Sequence, residues 1–116
     1  MTPDGSVKIL EEIKARAVSL NDLVQYASDS IVSKTLLDKP VGSLTLFAFD
    51  KGQRLSEHTS PYDAVVQIID GTAELTIGGQ PVLAEKGQIV IMPAGIPHAV
   101  HAKTAFKMLL TMIRQK

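Results

Sequence analysis

Three histidines carry most of the chemistry this chain can offer: His58 in EHTSPYD, and His98 and His101 in PAGIPHAVH. A neutral imidazole can accept a proton near pH 7 or bind a metal ion through a ring nitrogen. The chain has no cysteine. That removes disulfides, thiolate nucleophiles and thiolate metal sites. A metal ion is therefore expected on histidine nitrogen or on oxygen. Oxygen-bearing neighbours of His58 are Ser60, Tyr62 and Asp63. In extended chain, residues two apart share a face. His58 and Ser60 then point one way; His98 shares its face with Val100 and Ala102, and His101 faces the other side.

Tight turns must position these groups. Turn-forming residues recur on a regular beat: KPVG at 39–42, DKG at 50–52, DG at 70–71, GG at 78–79, EKG at 85–87 and PAG at 93–95. Short apolar segments of strand length lie between them. This spacing predicts an all-β sandwich or barrel, not alternating strands and helices. In TAELTI, Ala73, Leu75 and Ile77 alternate with polar residues, so one face is buried and one is wet. AVVQII (64–69) and IVIM (89–92) are apolar on both faces, so both need cover. FKMLLTMI (106–113) puts Phe106, Met108, Leu110 and Met112 on one face, with the methionines read as core filler. Leu109 and Ile113 make its other face apolar too. A second sheet, the N-terminal segment or a partner subunit is needed there.

The N-terminal region reads differently. Val7, Leu10 and Ile13 recur at helical spacing behind Asp4, predicting a short helix over 4–14. SLNDLVQYA (19–27) fits a helical turn or an edge strand equally well. Residues 1–30 are expected as a segment packed on a barrel formed by 31–116, in a single domain overall.

The bulk numbers narrow the partners. A chain of 116 residues can bury a core without a structural metal. Twelve basic and 12 acidic residues cancel, so no strong field favours nucleic acid or anionic lipid. Lys103, Lys107, Arg114 and Lys116 read as a solvated basic end. No run of about 18 apolar residues predicts a membrane span, and the N-terminus lacks a signal-peptide pattern. A cytoplasmic protein is the default expectation. No G-x-S-x-G elbow supports a hydrolase role for Ser60, and no phosphate-cradling glycine loop is present.

Two stretches carry a family resemblance. Gly52, His58, Ser60, Ala64 and Gly71 fall on the positions of the first cupin motif, which places His, His, Glu and a final glycine after its opening glycine. Gly87, Pro93, Gly95 and His98 match the second motif, with Ala102 at its asparagine. The chain thus resembles a small single-domain cupin over roughly residues 31–113. The resemblance implies a double-stranded β-helix (a jelly-roll barrel of two antiparallel sheets) and a divalent metal site. His58 matches the first ligand of that site and His98 the last. Ser60 stands at the second histidine and Ala64 at the glutamate, so the usual set is incomplete. Asp63, re-aimed by a bulge at Pro61, and His101 are the additional candidates. Asp63 also reads as a turn residue, Tyr62 as half-buried at the rim, and His101 as an ordinary strand residue.

The resemblance implies a pocket at the barrel mouth lined by Ser60, Tyr62, Ala64 and Val100. Its apolar surroundings predict a small apolar or aromatic ligand. His58 and His98 are the candidate catalytic groups, for isomerase-, cyclase- or dioxygenase-like chemistry, with zinc, iron, manganese or nickel as the expected ion. The alternative is a non-catalytic binding or sensing barrel whose metal site has decayed. A transcription regulator is disfavoured, since no helix-turn-helix follows the last strand. A homodimer is expected, with Leu109, Ile113 and the N-terminal segment as its contact.

Overall fold

The structure is a computed structural model and describes residues 12–114. Nine strands form two antiparallel sheets. They are β1 (Ile31–Lys39), β2 (Gly42–Phe49), β3 (Arg54–His58), β4 (Ala64–Asp70), β5 (Thr72–Ile77), β6 (Gln80–Glu85), β7 (Ile89–Met92), β8 (His98–His101) and β9 (Phe106–Ile113). One sheet runs β1-β2-β9-β4-β7 and the other β3-β8-β5-β6. This is the expected jelly-roll barrel. The expected turns fall between strands as read from the sequence.

A short helix, α1 (Leu20–Leu23), precedes the strands. The undecided segment 19–27 is thus a single helical turn followed by extended chain. The helix expected over 4–14 lies almost wholly outside the described residues, with only Glu12 and Ile13 helical within them.

Two apolar layers form, one on each side of the larger sheet. The first is the barrel interior. Ala64, Val66 and Ile68 of β4 and Phe106 and Met108 of β9 meet Ala73 and Leu75 of β5 and Val100 of β8 across it. Phe49 stacks on Phe106 at 4.6 Å, with the rings 10° from parallel. The second layer covers the outer face of the larger sheet. There Val24, Ile13, Leu20 and Leu23 pack on Leu36, Leu46, Ala48 and Leu109. The surplus apolar face of β9 is therefore covered, in part, by the chain's own N-terminal residues. Leu109 is only 9% exposed beneath that cover, while Ile113 stays 50% exposed.

Polar bonds pin that N-terminal cover. Lys107 is 4% exposed, against the expectation of a solvated basic end. Its position on β9 points outward, but α1 lies over it. Its ammonium donates to the Asn21 carbonyl at 2.8 Å and to Asn21 Oδ1 at 2.9 Å. It also sits 5.0 Å from the centre of the Tyr26 ring, a favourable placement for a cation. The Tyr26 hydroxyl donates to Asp70 Oδ2 at 2.6 Å. Burial, followed by the Asp70 carboxylate, raises the Tyr26 phenol well above its usual range. Arg114 is likewise engaged, donating to Asp38 Oδ1 at 3.0 Å.

Candidate functional site

His58 ends β3 and His98 begins β8, where the two strands pair antiparallel. Strand alternation alone would turn His58 away from the interior, because Leu55 three residues earlier already faces inward. A bulge corrects this. Leu55 pairs with Val100 and His58 with His98, so β3 spends three steps where β8 spends two. The extra residue shifts parity, and both Leu55 and His58 look into the barrel. The bulge thus falls at Ser56–Glu57, ahead of its expected place at Pro61.

The two imidazoles converge. Their Nε2 atoms stand 3.0 Å apart, with rings 4.3 Å between centres and 72° between planes. Each opposite nitrogen faces a backbone carbonyl. His58 Nδ1 is 2.9 Å from the Ser56 oxygen and His98 Nδ1 is 3.3 Å from the Ile96 oxygen. Carbonyls only accept, so the bonds place a proton on each Nδ1. Both Nε2 lone pairs then point at one another. Facing lone pairs repel, unless one nitrogen turns a hydrogen toward the other or a cation lies between them. His98 is 4% exposed. Burial, then the charge of His58, lowers its pKa below the ordinary 6.5, against a raising effect of the Ile96 carbonyl.

The pair stands at a cavity of about 110 Å³ that opens to solvent on the side of His58, which is exposed. Phe47, Leu55, Ala64 and Val100 line it, together with Leu110 and the methionines Met92, Met108 and Met112. Besides the two histidines, only Ser60 brings a polar side chain to the lining. A larger hollow of about 520 Å³ lies elsewhere, on the outer face of the smaller sheet. It is open and of mixed polarity, with Arg54, Glu74, Thr76 and His101 among its lining residues. An apolar cavity with converging polar groups is the better ligand site, so the inner one is the candidate.

The other expected residues divide. Ser60, Ala64 and Val100 line the cavity with the pair; Tyr62 does not. His101 lies in the outer groove, in register with Arg54 on one side and Glu74 on the other. Asp63 is exposed, and its Oδ1 accepts from the Ala94 N–H at 2.8 Å. Asp63 clamps the turn that presents His98. Neither Asp63 nor His101 joins the imidazole pair, and no cluster of three or more His, Cys, Asp or Glu forms among the described residues.

The fit to a divalent ion follows from these positions. Two imidazoles on one ion, with bonds of about 2.1 Å, place their nitrogens roughly 3.0–3.4 Å apart. The 3.0 Å pair meets that condition. Carbonyl-bound Nδ1 groups are also how metal-bound histidines are oriented. The remainder of the donor set does not fit. Ala64 brings a methyl where a carboxylate would be needed. The Ser60 hydroxyl already accepts from the Tyr62 N–H at 3.1 Å. Zinc, iron, manganese and nickel centres use three or more protein ligands, and this set supplies two.

A nine-stranded double-stranded β-helix with a histidine-edged internal cavity defines a cupin barrel. Residues 45–114 match the cupin domain model (Cupin_2), and the chain belongs to that family. A protein of unknown function from Streptococcus pyogenes is 40% identical, with a TM-score of 0.83 over 88% of this chain and 90% of that one. A cupin 2 conserved barrel domain protein from Leptotrichia buccalis is also 40% identical, with a TM-score of 0.82. That match covers 86% of this chain but only 49% of the other. An uncharacterized protein from Streptomyces coelicolor is 32% identical over 59 residues, which is 51% of this chain and 56% of that relative. Among the described residues, no helix is long and apolar enough to cross a membrane.

Proposed function

We propose that this cupin barrel binds a small, mainly apolar or aromatic molecule in its internal cavity, with the molecule's polar end on His58 and His98. The observation that carries this reading is the imidazole pair at an otherwise apolar cavity of about 110 Å³. Room of that order suits one small ring or a short branched chain: an engineered cavity of about 150 Å³ takes up benzene. Two imidazole nitrogens converging at the polar end favour a carboxylate or an acidic hydroxyl there. Thioether sulfurs and the Phe47 ring favour aromatic contact along the remainder. The catalytic version of this reading is proton transfer, as in an isomerase or cyclase, with His98 as the base; its lowered pKa keeps it neutral near pH 7.

A thermal-shift screen of monocyclic acids and phenols, run in chelator, tests the reading. Hits are expected to raise the melting temperature of the wild type and to lose their effect in Ala64→Phe, which fills the cavity. Hits that bind both proteins equally would place the ligand elsewhere.

A further inference from the structure

The hollow of about 520 Å³ on the outer face of the smaller sheet plays no part in the function proposed above. Its shape follows from two cross-strand rows. Arg54 on β3, His101 on β8 and Glu74 on β5 stand side by side in register, on strands about 4.8 Å apart. In the next row of that face Thr76 pairs with Ala99, and Ser56 joins them in the lining. The long side chains make a wall and the short ones a floor.

This lining is rich in donors. Glu74 is its one carboxylate. The Glu74 Oε2 atom is shut off from solvent and meets the Lys103 ammonium at 3.1 Å, so its charge is answered from within the chain. Arg54 has no carboxylate partner among the described residues. A guanidinium is always charged, and its fork of N–H groups matches a carboxylate or phosphate two bonds at a time. The Ser56 and Thr76 hydroxyls add donors on the floor. One unanswered positive charge beside these donors, in a hollow of small-molecule size, is the chemistry of an oxyanion site.

Ser56 ties this hollow to the inner cavity. It belongs to the β3 bulge. It lines the outer hollow, and its carbonyl accepts from His58 Nδ1 at 2.9 Å. Leu55 and Val100, on the two strands between the hollows, line both. A ligand drawn to Ser56 therefore bears on the carbonyl that holds the His58 ring.

We infer that the outer hollow is a second ligand site, for the carboxylate or phosphate group of a small molecule bound to Arg54, and that Ser56 relays its occupancy to His58. The site does not depend on what the inner cavity binds; the relay rests on the reading of His58 as part of the inner site. Linkage makes the relay reciprocal: an inner ligand that fixes His58 changes the affinity for the outer anion by the same factor.

The test is NMR of the full chain titrated with inorganic phosphate and, separately, with acetate. The Arg54 side-chain N–H and the Ala99 and His101 amides are expected to shift saturably with at least one of the two, and which one names the anion. The His58 ring signals are expected to move along the same titration curve. Ala64→Phe, which fills the inner cavity, is expected to keep the shifts at Arg54 and Ala99. Arg54→Gln changes an exposed residue, and is expected to weaken binding by more than about tenfold and to leave the His58 signals still. The site is overturned if neither anion shifts these signals or if Arg54→Gln binds undiminished. It is overturned too if Ala64→Phe abolishes the shifts, which would place the anion in the inner cavity. Saturable shifts at Arg54 with an unmoved His58 would overturn the relay.

Discussion

His58 Nε2 and His98 Nε2 meet 3.0 Å apart although 40 residues separate them in the chain. The contact exists because a bulge between Leu55 and His58 turns one histidine inward and the β3–β8 pairing sets it opposite the other. Two consequences follow for the metal-free protein. Each Nδ1 is tied to a carbonyl, so the rings are fixed in orientation. At that distance the two Nε2 atoms have no room to carry a hydrogen each.

The burial of His98 sets a pH dependence. The folded-state pKa of His98 lies below its unfolded value of 6.5, mainly through burial. Above pH 6.5 His98 is neutral in both states and contributes nothing to the slope. As pH falls through 6.5 the unfolded chain binds a proton that the folded chain refuses, so stability falls with pH. The chelated wild type is expected to lose melting temperature between pH 7 and about pH 5, and His98→Gln to lose less. Equal slopes for the two proteins would show that His98 does not carry the effect.

The Lys107 contacts predict a latch. Without the ammonium, the Asn21 carbonyl and side-chain oxygen lose their donor, and the Tyr26 ring loses its cation. Lys107→Ala is expected to cost about 1–3 kcal/mol in chemical denaturation. It should also speed tryptic cleavage after Arg16, because the residues that cover β9 are released first. Unchanged cleavage would mean that Leu20, Leu23 and Val24 hold the segment by apolar contact alone.

Glycine positions separate two kinds of cost. Gly71 turns between β4 and β5 at φ +72°, and a Cβ there would run into the Ala105 carbonyl and Phe106. Gly79 has φ +81° but open space around it. Left-handed backbone alone costs an L-residue about 1–2 kcal/mol. Gly79→Ala is expected to lose about that much, and Gly71→Ala clearly more, by urea midpoints of the two variants. Similar losses would mean that the β9 entry shifts freely to admit a methyl group.

The barrel was legible because turns and strand alternation are local signals, and the turn residues mark the strand ends closely. The placement of His58 and His98 was legible from motif spacing. Parity at His58 was not, since nothing in RLSEH distinguishes a bulged strand from a regular one. Asp63 was open to two readings because its partner, the Ala94 N–H, lies 31 residues away. Lys107 misled for the same reason: its bonds reach α1, 86 residues earlier in the chain. The apolar outer face of β9 was visible, but only the fold shows which segment covers it.

The missing ligands make the last prediction. Ala64 and Ser60 both line the cavity with the histidine pair, so side chains placed there reach the same space. Ser60→His/Ala64→Glu restores the set that the family resemblance implies: three imidazoles and one carboxylate. The carboxylate would offset the second charge of a divalent ion, and four donors would close its shell. The double variant is expected to retain near-stoichiometric zinc or nickel after dialysis, measured by elemental analysis, while the wild type retains little. Ala64→Glu alone should hold metal more weakly, having one imidazole fewer. His98→Ala in the double variant should release the ion. A folded double variant that holds no divalent metal would show that Met92 and Met112, on either side of residue 64, already fill the space the carboxylate needs.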